Sequence, residues 1–153
     1  MVASKTATRQ SRNSFTIPVF PHVKKFISKN YRLTHPFKTE ENNTFGKSIT
    51  LVLKDNRLRL KYNDSQYRDR LTESITLVLT KEQSEFGPRQ NKLIRINQSM
   101  DDAFKEHMLT WIAGQQAAGI SAHHACKLFL GFYDLDENEY SLDAAYRHWQ
   151  RSK

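Results

Sequence analysis

Arg57, Arg59 and Lys61 alternate with Leu58, Leu60 and Tyr62. As a strand, that period of two sets the cations on one face and the apolar side chains on the other. Guanidinium groups in such a row can grip phosphates or a guanine edge with paired hydrogen bonds, so the chemistry is polyanion recognition. The same charges also suit a solvated edge strand that resists aggregation. Lys24, Lys25 and Lys29 form a second cationic group, beside Val23, Phe26 and Ile27 on a helix that Pro21 starts. Near the end of the chain, Arg147, His148, Gln150, Arg151 and Lys153 make a third. On the second helix of a helix-turn-helix, Arg147 and Arg151 would be candidate base contacts.

These charges are unevenly spread. Among 153 residues with a net charge of +8, the first 62 carry 13 Lys/Arg against Glu40, Glu41 and Asp55. Residues 99–153 carry 5 Lys/Arg against 8 Asp/Glu. A basic half joined to a mildly acidic half points to a polyanion-facing region on an ordinary globular partner. Hydrophobic content of 38% is low, yet nine Phe, six Tyr and two Trp argue against wholesale disorder. No apolar run approaches the roughly 18–20 residues needed to cross a bilayer, and the N-terminus lacks the apolar centre of a secretory signal. The single cysteine, Cys126, excludes an internal disulfide framework and fits a reducing cytosol. The expected setting is cytoplasmic, with no membrane partner.

Other chemistries find little support. Asp134, Asp136 and Asn138 imitate the start of a calcium loop, but Glu139 stands at the glycine position and Ala145 at the bidentate-glutamate position. His107, His123, His124 and Cys126 lack zinc-ligand spacing, and the adjacent histidines diverge on a helix. Cys126 lies beside an apolar face and reads as a buried thiol. Asp101, Asp102 and Glu106 resemble a nuclease cluster, although a helix start explains the first two aspartates more simply. There is no phosphate-binding or dinucleotide-binding glycine pattern. The expectation is a protein without catalytic residues, metal or cofactor.

The elements that would position the cations divide into three regions: a flexible basic arm (1–14), a basic α+β region (15–98) and a three-helix region (99–153). Phe15–Phe20 reads as an edge strand, because Pro18 removes a ladder donor. The stretch from His35 to Asn43 reads as a loop. The hexapeptide SITLVL occurs at Ser48–Leu53 and again at Ser74–Leu79. Asn43 or Thr44 can cap the first copy as a helix, whereas Gly87–Pro88 soon after the second favours a strand. Ser99, Ser121 and Ser141 are candidate caps for three C-terminal helices, and Gly119 stops the first. Their predicted buried faces are Phe104, Met108, Trp111, Ile112 and Ala118; then Ala125, Leu128, Phe129 and Phe132; then Leu142, Ala145, Tyr146 and Trp149. The expected fold is α+β, with a small antiparallel sheet packed on a mainly helical C-terminal half that contains a helix-turn-helix-like unit.

Three segments also carry a resemblance: Ile17-Pro-Val-Phe-Pro-His-Val-Lys-Lys-Phe-Ile27, Phe45-Gly46 and Ser141-Leu-Asp-Ala-Ala-Tyr-Arg-His-Trp149. Together the chain resembles small DNA-associated proteins of bacteriophages and mobile elements, chiefly of Bacteroidota. The resemblance implies a DNA-associated, regulatory role and transfers no catalytic residue. The expectation is a non-catalytic binder of duplex DNA, acting as a homodimer if it reads half-sites. Phosphate contacts would come from Lys24, Lys25, Lys29, Arg57, Arg59 and Lys61, with Arg147 and Arg151 at bases. The alternative is a virion or complex component whose basic face meets nucleic acid or an acidic protein.

Overall fold

Pro18 has no N–H to give a neighbouring strand, and β1 (Ser14–Val19) accordingly lies at a sheet edge. This architecture comes from a computed structural model that describes residues 13–40, 43–55, 65–87 and 90–153. The Arg57–Tyr62 stretch and all but the end of the N-terminal arm lie outside the described residues. Ser14, counted with the arm from sequence, opens β1.

The chain continues through α1 (Pro21–Asn30), β2 (Phe37–Lys38), α2 (Thr44–Lys54), α3 (Ser65–Asp69), β3 (Glu73–Val78) and α4 (Lys81–Glu85). Three helices complete it: α5 (Gln90–Ala117), α6 (Ala122–Phe132) and α7 (Leu142–Arg151). The fold is α+β with a mostly helical C-terminal half. Its sheet has the order β1-β3-β2 and is mixed rather than antiparallel: β1 runs against β3, while β2 runs parallel to it. The parallel partner, Phe37–Lys38, comes from the stretch expected to be a loop. Phe37 enters the core there, and Thr39 extends the pairing by donating its N–H to Val78.

Both hexapeptides fold as expected. Asn43 accepts the Gly46 N–H and caps α2, which buries Ile49, Val52 and Leu53. In β3 and just beyond it, the same hexapeptide buries Ile75, Leu77 and Leu79. Thr80 and Gln83 form a reciprocal capping box that starts α4. Gln83 is fully buried and also donates to the Thr39 carbonyl (2.9 Å) and to Thr50 Oγ1 (2.9 Å), tying α4 to β2 and α2. Gly46 makes that junction possible, since a β-carbon there would sit 2.0 Å from the Glu40 carbonyl oxygen.

The long helix differs from expectation. Ser99 does not cap it; α5 starts at Gln90 and runs 28 residues, a length of about 42 Å. The polar run Arg95, Asn97 and Gln98 hides its first turns from a periodicity reading, because all three are buried. Asn97 accepts the Phe20 N–H and donates to the Tyr67 hydroxyl, each at 2.9 Å. The boundary at 98/99 therefore falls inside one helix. Ile94, Ile96 and Met100 join a buried cluster with the sheet and α2, while Phe104, Met108 and Ile112 join another with α6 and α7. Helix α1 faces both, sending Val23 and Ile27 into the first and Phe26 into the second.

Gly119, at φ +88°, ends α5 by the paired bonds Gly119 N–H to Gln116 and Ile120 N–H to Gln115. Ser121 and Ser141 cap α6 and α7 as expected. The inward face of α6 is rotated from the expected one. Ala122, Ala125, Cys126, Phe129 and Leu130 are buried, whereas Leu128 and Phe132 are 39% and 45% exposed. The small residues let α6 approach its neighbours closely while Phe129 fills the space between them. Ala118 likewise faces solvent. Among the described residues, no helix is long and apolar enough to cross a membrane.

Candidate functional site

The lysines of α1 face the C-terminal helices rather than open solvent. Lys25 donates to the Asp134 carbonyl at 2.6 Å and to the Glu139 carboxylate at 2.7 Å. Lys29 donates to the Phe132 carbonyl and lies 4.3 Å from the centre of its ring. Both ammonium groups meet the C-terminal end of α6, where unpaired carbonyls attract positive charge. Lys24, on the other flank, approaches Glu73 of β3 at 3.6 Å. These three of the six cations expected at phosphates are thus engaged within the chain and hold α1 against its neighbours.

Arg147 and Arg151 stand one turn apart on the solvent side of α7. Arg147 is paired with Asp143 along the helix, and both side chains are exposed. Lys153 lies 3.7 Å above the Trp149 ring. Burial lowers the pKa of His148 on the same helix, with the nearby Lys105 charge adding to the effect. Nine residues separate α6 from α7, where a helix-turn-helix has three or four.

That connection is acidic, but it is organised inward. Asp136 accepts the N–H groups of Asn138 and Glu139, each at 2.9 Å. Glu137 accepts the Leu142 N–H at 3.4 Å, and Glu139 is held by Lys25. Of the residues that imitate a calcium loop, Asp136 therefore serves as a backbone cap. Among the described residues, no group of three or more His, Cys, Asp or Glu side chains could hold a metal.

A further cationic surface lies on α2, whose exposed stripe carries Lys47, Leu51 and Lys54. Leu51 is 68% exposed between the two lysines. The helix ends at Lys54, and Asp55 and Asn56 separate it in sequence from the basic stretch that begins at Arg57. Arg95, buried beside this end, donates to the Asp55 carbonyl at 3.2 Å.

At the junction of the two clusters, His22 Nε2 lies 2.6 Å from Asp101 Oδ1. Lys105 holds the other Asp101 oxygen at 2.9 Å. Burial acts to raise the Asp101 pKa, but the hydrogen bond from His22 and the Lys105 ammonium bring it below its ordinary value. An ionised carboxylate only accepts, so the proton in this bond sits on His22 Nε2. The imidazole stacks on Phe20 and meets Phe104 and Tyr140, which fix its plane. Burial, followed by the Asp101 charge, strongly raises the Tyr140 pKa. His22 and Tyr140 line a cleft of about 450 Å³ between the start of α1, the α3–β3 connection and the α6–α7 connection.

The sequence reading missed this pair. Its signal was a titratable residue on an apolar stripe: His22, Val23, Phe26 and Ile27 all lie on the buried side of α1. The sequence points to a helix start at Asp101, whereas this residue sits within α5 and serves His22. Compared with known protein-family models, characterised proteins and solved structures, the chain matches none of them.

Proposed function

We propose that this chain is a non-catalytic DNA-binding protein that grips duplex phosphates through α7 and the basic stretch following α2. The observation that carries this reading is the exposed pair Arg147 and Arg151, one turn apart on the outer side of α7. The adjoining acidic turn is capped and partly neutralised from within, by Lys25 above all. The exposed ion pair of Arg147 with Asp143 is worth little in water, so a phosphate can replace the carboxylate. Lys47 and Lys54 add exposed cations on α2, the helix that precedes Arg57, Arg59 and Lys61 in the sequence. A regulatory role in a bacteriophage or mobile element rests on the resemblance in residues 17–27, 45–46 and 141–149.

The test is duplex-DNA binding at two salt concentrations, comparing wild type with Arg147→Ala/Arg151→Ala and Arg57→Ala/Arg59→Ala. Each lost phosphate contact reduces the salt slope by about one. Salt-independent binding, or none at low ionic strength, sinks the proposal.

Leu51 favours a second reading. A large apolar side chain exposed between two lysines suits an acidic, partly apolar protein partner, as in a virion or complex component. Leu51→Asp would weaken such a complex much more than it weakens DNA binding.

A further inference from the structure

Helix α6 turns large apolar side chains outward. Leu128 and Phe132, one turn apart, are 39% and 45% exposed. The half-buried Trp111 of α5 adjoins them, its ring centre 5.6 Å from that of Phe132. Gly114 and Gly131 are exposed on the same sides of these helices, three residues after Trp111 and Leu128 respectively. Glycine is unfavourable within a helix, and nothing inside this fold asks for it at either position. Neither residue has a positive φ, and a β-carbon on either would meet no atom within 4 Å. The two glycines instead leave the outer face low, so that another backbone can approach it closely.

The charges on this face point to what covers it. Lys127 and Asp134 bracket the Leu128–Phe132 turn along the chain. Both are exposed, and neither side chain has an ion-pair partner among the described residues. Of the other ionisable groups nearby, Lys29 is held by the Phe132 carbonyl, while His107 and His124 stand one turn before Trp111 and Leu128. We propose that a second copy of this chain docks here, pairing α6 antiparallel with its counterpart about a two-fold axis. With the axis passing the Leu130–Gly131 level, Lys127 of each protomer meets the partner's Asp134, and Leu128 and Phe132 pack across the axis. The surface is then complementary to itself in both charge and apolar character. None of these residues belongs to the surfaces proposed for DNA, so either proposal can fail alone.

The experiment is sedimentation equilibrium of the full chain. Wild type is expected to dimerise with a dissociation constant below about 50 μM. Lys127→Asp and Asp134→Lys, made singly, each place like charges together twice across the axis and should weaken the dimer about tenfold. The combined variant Lys127→Asp/Asp134→Lys restores opposite pairs and should return the affinity to within about threefold of wild type. Leu128→Glu changes an exposed side chain and should give a monomer that still unfolds cooperatively on heating. A wild-type chain that stays monomeric at about 200 μM overturns the proposal. So does a dimer that Leu128→Glu leaves intact, or a combined variant as weak as the single ones.

Discussion

His22 and Asp101 are 79 residues apart in the chain and 2.6 Å apart in the fold. Their bond joins α1 to the middle of α5, where the two buried clusters meet. Asp101→Asn keeps the shape but removes the charge that accepts from both His22 and Lys105. The variant should lose about 2–3 kcal/mol of stability at pH 7 in urea unfolding. Because the folded-state pKa of Asp101 is depressed, its contribution is complete above the unfolded value of about 4. It is lost as pH falls through the folded value, so wild type and variant should converge in acid.

The junction of Gly46 with the Thr39–Glu40 backbone leaves no room for a methyl group. Gly46→Ala should destabilise the chain by about 2–3 kcal/mol through backbone displacement. Gln83→Leu should cost at least as much, by leaving the buried Thr39 carbonyl without its side-chain donor. Thermal unfolding of the two variants measures both.

Lys25 and the α7 arginines separate stability from binding. Lys25→Ala removes a half-exposed tether and should lower stability by about 1 kcal/mol, leaving the DNA salt slope unchanged. Arg147→Ala/Arg151→Ala should do the reverse. Unfolding curves and salt-dependent binding on the same preparations distinguish these effects.

Cys126 is fully buried, and burial raises its thiol pKa. Alkylation needs an accessible thiolate, so the native protein should react slowly with iodoacetamide and rapidly once unfolded. Fast labelling of the native chain would place the thiol at the surface.

Much of this fold was legible because local signals agreed with tertiary packing. SITLVL buries its second, fifth and sixth residues as a helix in α2, and its second, fourth and sixth around β3. Both periods are present in the letters, and flanking residues choose between them: Asn43 caps the helix, while Thr80 opens another helix just after the strand. The start of α5 was illegible because its buried residues include Arg95, Asn97 and Gln98, and the partners of Arg95 and Asn97 lie in distant segments. The face of α6 was only partly legible: Ala125 and Phe129 are buried as expected, but packing selects Ala122, Cys126 and Leu130 beside them in place of Leu128 and Phe132. The candidate site divides similarly. Arg147 and Arg151 were readable as an exposed helical pair, but the role of Lys25 and Lys29 depends on carbonyls more than 100 residues away.

Helix α5 belongs to both hydrophobic clusters, giving its first half to one and its second half to the other. Neither cluster can melt without unwinding a helix that the other needs. The two regions should accordingly behave as a single cooperative foldon, with amide exchange along the middle of α5 governed by global unfolding. A fragment ending at residue 98 would keep only nine of that helix's 28 residues and expose the apolar surface the rest used to cover.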